Sequence, residues 1–105
     1  MNFGPNSAIV ADLIRWTVVL DRKARKIIER LDPQSSRRIT DYLAENIQVC
    51  TDPRQLGKAL TGPLKGLWRY RVGDYRIICS IKDATVTVVV VHVGHRSVLY
   101  KDLHL

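Results

Sequence analysis

The chain has 105 residues, 17 Lys or Arg against 10 Asp or Glu, a net charge of +7 and 46% hydrophobic residues. By length this is one domain, with too much apolar content for a disordered chain and enough for a thin core without staples. The positive excess points to a polyanionic partner, nucleic acid first and an acidic protein second.

Two cysteines, Cys50 and Cys79, have no metal-ligand spacing, and the opening residues lack the basic start and long apolar run of a secretory signal. The most apolar stretch, "VTVVVVHV", is far shorter than the roughly 20 residues of a membrane helix. The expectation is a soluble cytoplasmic protein with reduced thiols and no membrane partner.

Residues 1–15 carry weak signals and are set aside as an N-terminal extension, so the domain is expected over 16–105. "WTVVL", Trp16 to Leu20, is rich in β-branched residues and reads as a strand. Asp21 caps a helix that puts Ala24, Ile27, Ile28 and Leu31 on one face and Arg22, Lys23, Arg25, Lys26 and Arg30 outward. Asp32-Pro33 ends it and starts a second helix, with Pro at the first helical position and Ile39, Tyr42, Leu43 and Ile47 as its apolar stripe. The short connection predicts an antiparallel helix pair.

Thr51 to Gly66, punctuated by Pro53, Gly57, Gly62, Pro63 and Gly66, reads as a loop with one helical turn at most. Strands are expected at Leu67–Val72, Tyr75–Lys82 and Thr85–Val93. The order β-α-α-β-β-β predicts an α+β fold: a small antiparallel sheet with both helices on one face and the other face open.

Gly73-Asp74 has the form of a two-residue type II′ hairpin loop, which fixes the register. Val72 then pairs with Tyr75, Arg71 with Arg76, Tyr70 with Ile77, Arg69 with Ile78 and Trp68 with Cys79. Side chains alternate across a strand, so Trp68, Tyr70, Val72, Tyr75, Ile77 and Cys79 form the core face. Arg69, Arg71, Arg76 and Ile78 share the other. Like charges directly opposed cost up to roughly 1 kcal/mol. A solvated basic face accounts for one such pair; a cluster of three arginines reads as an anion site, because the planar guanidinium fork binds phosphate oxygens in pairs.

Arg54, Lys58 and Lys65 lead into the cluster, either as solubilising loop charges or as RNA contacts at its rim. Parity counted from a short turn at Asp83-Ala84 places His95 on the arginine face, a reading that a one-residue register change reverses. A lone histidine at a sheet edge is ordinarily structural, and Tyr100 taken alone is ordinarily packing.

The sequence shows no carboxylate pair among these residues, no Cys/His metal pattern and no glycine-rich phosphate loop. Cys79 faces the expected core and is a poor nucleophile there. Arginines, a histidine and tyrosines are compatible with metal-free RNA cleavage through the ribose 2′-OH, the arginines aligning the phosphate and neutralising developing charge. An arginine stays protonated, which leaves His95 or Tyr100 to move protons.

"DPRQLGKALTGPLKGLWRYRVGDYRIICSI" with "VVVVHVGHRSVLY", extended backward through "LDRKARKIIERLD", resembles the RelE/ParE superfamily of bacterial toxins from type II toxin–antitoxin modules, most of all its RelE branch. The resemblance covers Trp16 to Tyr100. It implies the RelE-like fold, and a ribosome-dependent endoribonuclease that cuts messenger RNA in the A site without cofactor or metal and inhibits translation. It implies phosphate positioning and charge stabilisation for Arg69, Arg71, Arg76 and Arg96, and base stacking or proton transfer for Tyr100. His95, beside the matched Arg96, is a candidate base or purine contact. Both first basic positions are arginine here where relatives also carry lysine. The implied partners are a RelB-like antitoxin, in an oligomeric complex that binds DNA through the antitoxin, and the ribosome with its messenger RNA. The alternatives are a ParE-like poison of DNA gyrase and a non-catalytic relative that binds nucleic acid or an antitoxin.

Overall fold

The computed structural model describes residues 15–96. The β-branched run forms β1, Thr17–Leu20. Asp21 Oδ1 accepts from the Ala24 amide at 2.8 Å and opens α1, Arg22–Arg30, which buries Ala24 and Ile28. Asp32 repeats the device, its Oδ2 accepting from the Ser35 amide at 3.0 Å to start α2, Pro33–Tyr42. Each cap satisfies an amide that the helix itself leaves without a partner. The hydrogen bonds from Ser35 also hold the Asp32 carboxyl below the usual carboxylate range. Beyond α2 the chain continues through a π-turn, Leu43–Ile47, which keeps Leu43 and Ile47 buried.

Two short 3₁₀ turns, Pro53–Leu56 and Gly62–Leu64, flank a two-residue strand, β2, Lys58–Ala59. Then come β3, Trp68–Val72, β4, Tyr75–Lys82, and β5, Thr87–His95. They form a five-stranded sheet in the order β1-β5-β4-β3-β2.

β2 to β5 pair antiparallel, as expected for the whole sheet, but β1 pairs parallel with β5, so the sheet is mixed. The reason lies in where the helices deliver the chain. The Trp16 amide donates to the Gln48 carbonyl at 3.2 Å, so the chain is back at β1's starting end before β3 begins. From there β3 runs one way, β4 back and β5 forward again, alongside β1 in the same direction.

The core lies between the helices and one sheet face. Ala24, Ile28 and Ile39 meet Tyr70, Ile77, Cys79, Val88, Val90 and Val93, while Trp68 and Tyr75 pack against its margin. The core face read from the hairpin is therefore the one observed. Burial raises the Cys79 thiol far above its ordinary range, leaving it protonated. Three aromatic donors tie the 51–54 segment to this layer: Trp16 Nε1 to Thr51 O at 3.2 Å, Trp68 Nε1 to Arg54 O at 3.2 Å, and Tyr70 Oη to Pro53 O at 2.7 Å. Gly57 completes the contact, since a Cβ there would overlap the Arg69 carbonyl oxygen and the Tyr70 ring. Among the described residues, no helix is long and apolar enough to cross a membrane.

Candidate nucleic-acid interface

The hairpin has the register that its turn residues predict: Val72 opposite Tyr75, Arg71 opposite Arg76, Tyr70 opposite Ile77, Arg69 opposite Ile78 and Trp68 opposite Cys79. Gly73 takes φ 58° and Asp74 does not share the positive φ, the pattern of a type II′ turn. Arg69, Arg71 and Arg76 therefore share the face away from the helices.

β2 adds Lys58 directly opposite Arg69. Two rows cross the sheet on this face: Lys58, Arg69, Ile78 and His92, then Arg71, Arg76 and Gly94. None of these positions is acidic. Gly94 adds no side chain opposite Arg76, and Ile78, only 1% exposed, forms an apolar floor between Arg69 and His92. Arg71 is exposed, while Arg69 and Arg76 are half-buried. The Arg69 Nε is buried and makes no hydrogen bond. An open groove of about 340 Å³ lies between Lys58, Arg69 and Arg71 on one side and Gln55, Leu56 and Gly57 on the other.

Arg96 follows β5 at the hairpin tip. Its amide donates to the Asp74 carbonyl at 2.7 Å, and its Nε lies 3.6 Å from Asp74 Oδ1. Both side chains are largely exposed, so the backbone bond does more to place Arg96 than the ion pair. On the other side of the tip, the Arg38 guanidinium from α2 approaches Gly73; a Cβ there would lie 2.7 Å from Nη1.

His95 is not on the arginine face. It pairs with Tyr75, on the helix side of the sheet, and its ring stands edge-on to the tyrosine at a centroid distance of 5.6 Å. The physical reason is a β-bulge. The β4–β5 pairing shifts between Ile78 and Cys79, leaving Val91 as an extra residue, and every side chain beyond it changes face. The connecting turn is also longer than two residues, a 3₁₀ turn at Asp83–Thr85 followed by Val86 at φ 50°. That lengthening alone preserves parity; the bulge reverses it. His92 is the histidine brought to the arginine face, opposite Ile78. Its signal in the sequence was a single polar residue inside a valine run.

Arg54 lies at the far end of β3 and β4 from the hairpin. Its Nη1 and Nη2 donate to the Asp83 carboxylate at 2.8 and 2.7 Å, and its Cζ lies 5.9 Å from the Trp68 ring centre. The pairing lowers the Asp83 carboxyl below its ordinary range and raises the Arg54 guanidinium. Arg54 is thus held by an acid and separated from the cluster that Lys58 joins. Lys65 is exposed in the loop after the Gly62–Leu64 turn. Tyr100 lies outside the described residues. Among the described residues, no three His, Cys, Asp or Glu side chains group so as to hold a metal ion.

Two helices packed on one face of a five-stranded mixed sheet make up the RelE-type toxin fold. The match to the crystal structure of the toxin–antitoxin complex RelBE2 from Mycobacterium tuberculosis has a TM-score of 0.72 at 29% identity, covering 79% of this chain and 100% of the other. Residues 14–100 match the family described as ParE toxin of type II toxin-antitoxin system, parDE, and the chain belongs to that family. It is 29% identical to Toxin RelG of Mycobacterium tuberculosis over 86 residues, 82% of this chain and 97% of RelG. Over the same length it is 29% identical to Toxin RelE of that organism, 87% of which is covered.

Proposed function

We propose that this toxin is an endoribonuclease that cuts messenger RNA on the ribosome, and that a RelB-like antitoxin holds it in check. The observation that carries this reading is Arg71 directly opposite Arg76, with Arg69 and Lys58 in the neighbouring row, on the face free of helices. Neighbouring strands lie about 4.8 Å apart, which is close enough for two guanidinium forks to reach the oxygens of one phosphodiester. A polyanion bound on this face would offset the like-charge opposition.

In this scheme Arg71 and Arg76 hold the scissile phosphate, Arg69 and Arg96 stabilise the charge that develops on it, and the adjacent 2′-OH attacks in line. Lys58 and Lys65 contact flanking phosphates. Arg54, bound to Asp83, contributes less. Tyr100 takes the stacking or proton-transfer role that the resemblance implies. The chemistry asks for neither metal nor cofactor. The net charge of +7 suits an antitoxin of acidic or mixed composition, in an oligomeric complex that binds DNA through the antitoxin, and the site of action is the cytoplasm.

Brief expression with mapping of new messenger RNA 5′ ends tests the reading, beside the double variant Arg76→Ala/Arg96→Ala. Codon-phased cuts that vanish in the folded double variant are expected. A second reading draws on the family description, which names ParE toxins: poisoning of DNA gyrase. DNA breaks with intact transcripts would favour it and sink the nuclease. Unchanged growth with neither lesion would favour a binding protein without catalysis.

A further inference from the structure

We propose that His92 is the proton-transfer residue of the RNA-cleaving site, its Nε2 accepting the 2′-OH proton; this rests on the nuclease reading above. Arginine is a donor with no acceptor lone pair to offer, so the arginines of the face do not supply that function. His95 stands on the other side of the sheet, against Tyr75. His92 lies in the row adjacent to Arg71 and Arg76, on their face.

The ring's direction supports the assignment. A Cβ built on Gly94 would lie 3.1 Å from His92 Nε2 and 3.5 Å from Cδ2. The imidazole therefore extends along β5 toward the position opposite Arg76, and Nε2 is its leading atom. The absence of a side chain at Gly94 leaves room for that ring. Arg76 and His92 stand at the diagonal spacing of adjacent strands, roughly 7–8 Å between Cα atoms, so a phosphate held at Arg76 is within reach of the ring nitrogen.

The state of the ring fits the task. Partial burial, and then the charge of Lys23, push the His92 imidazole below its ordinary value, with Asp21 opposing. Both groups come from the start of α1, while Arg76 on β4 and Arg69 on β3 are the cations of the ring's own sheet face. A neutral ring at physiological pH can accept a proton. In the step, the 2′-OH proton passes to Nε2 as the 2′-oxygen bonds to phosphorus. The P–O5′ bond breaks, and the departing 5′-oxygen takes a proton from water. The products are a 2′,3′-cyclic phosphate and a 5′-hydroxyl, with no redox change.

The test is single-turnover cleavage of messenger RNA on programmed ribosomes from pH 5 to 9, for wild type, His92→Ala and His92→Asn. Wild-type rates are expected to rise with pH through an inflection below 6.5. Both variants should lose about 10²–10⁴-fold and that inflection, and free imidazole should restore part of the rate to His92→Ala. Affinity for ribosomes carrying a 2′-deoxy A-site codon should be unchanged, which a merely structural role would not predict. Should His92→Ala fail to fold, His92→Asn, which keeps a polar side chain of similar reach, decides the matter. A folded variant that cleaves at the wild-type rate with the wild-type pH profile overturns the role of His92 and leaves the nuclease reading standing. Absence of cleavage by the wild-type protein overturns both.

Discussion

The two ends of the β3–β4 hairpin handle arginine in opposite ways. At the open end, Arg54 reaches across 29 residues of sequence to a carboxylate, Asp83, and lies beside an indole. At the turn end, Arg71 is set against another arginine, in a ladder whose neighbouring positions hold lysine, isoleucine, glycine and histidine. A count of basic residues treats these ends alike. The neighbour that the fold assigns to each separates an arginine paired with an acid from one set opposite a like charge.

The sharpest way to break this comparison is to remove the turn-end charges. Arg71→Ala or Arg76→Ala should reduce cleavage by about 10²–10³-fold, the scale of losing one preorganised charge stabiliser. Arg71→Ala, at the exposed member of the pair, should leave thermal stability unchanged or raise it slightly, since a like-charge opposition is relieved. A marked loss of melting temperature would show that these arginines hold the fold instead. Next in size is Gly57→Ala, whose added Cβ meets the Arg69 carbonyl and the Tyr70 ring. Overpacking of this kind costs about 1–3 kcal/mol, to be read from denaturant melts. Binding to RNA should separate the two ends more finely. Losing Arg71 should reduce the slope of log affinity against log salt by roughly 0.7–0.9, and losing Arg54 by much less.

The smallest effect concerns Arg54 and Asp83 themselves. The folded carboxyl of Asp83 is held below its ordinary value of 3.8, with the Arg54 hydrogen bond as the largest cause. Its contribution is therefore present above that value and lost as pH falls through the depressed one. Asp83→Asn should melt slightly below wild type at neutral pH, and the difference should close on acidification below 3.8. A gap that persists into that range would mean that the carboxylate's charge is not what matters.

The hairpin was legible in the sequence because a two-residue loop with glycine first dictates its own register, and register dictates which side chains share a face. The helix pair was legible because Asp21 and Asp32-Pro33 are local signals. The parallel edge was not, because it depends on where two helices return the chain. Nor was the pairing of Arg54 with Asp83, which no local pattern encodes. The side taken by the last strand's histidines turned on Val91, one valine in a run of valines with nothing in its chemistry to mark it.

That extra valine has a consequence for the whole last strand. Before it, Val88 and Val90 answer to the hydrophobic interior; after it, the chain resumes alternation from a fresh origin. One strand thereby holds two opposite phases: even-numbered positions, Val88 and Val90, face the helices beside β1, and odd-numbered ones, Val93 and His95, do so beside the hairpin.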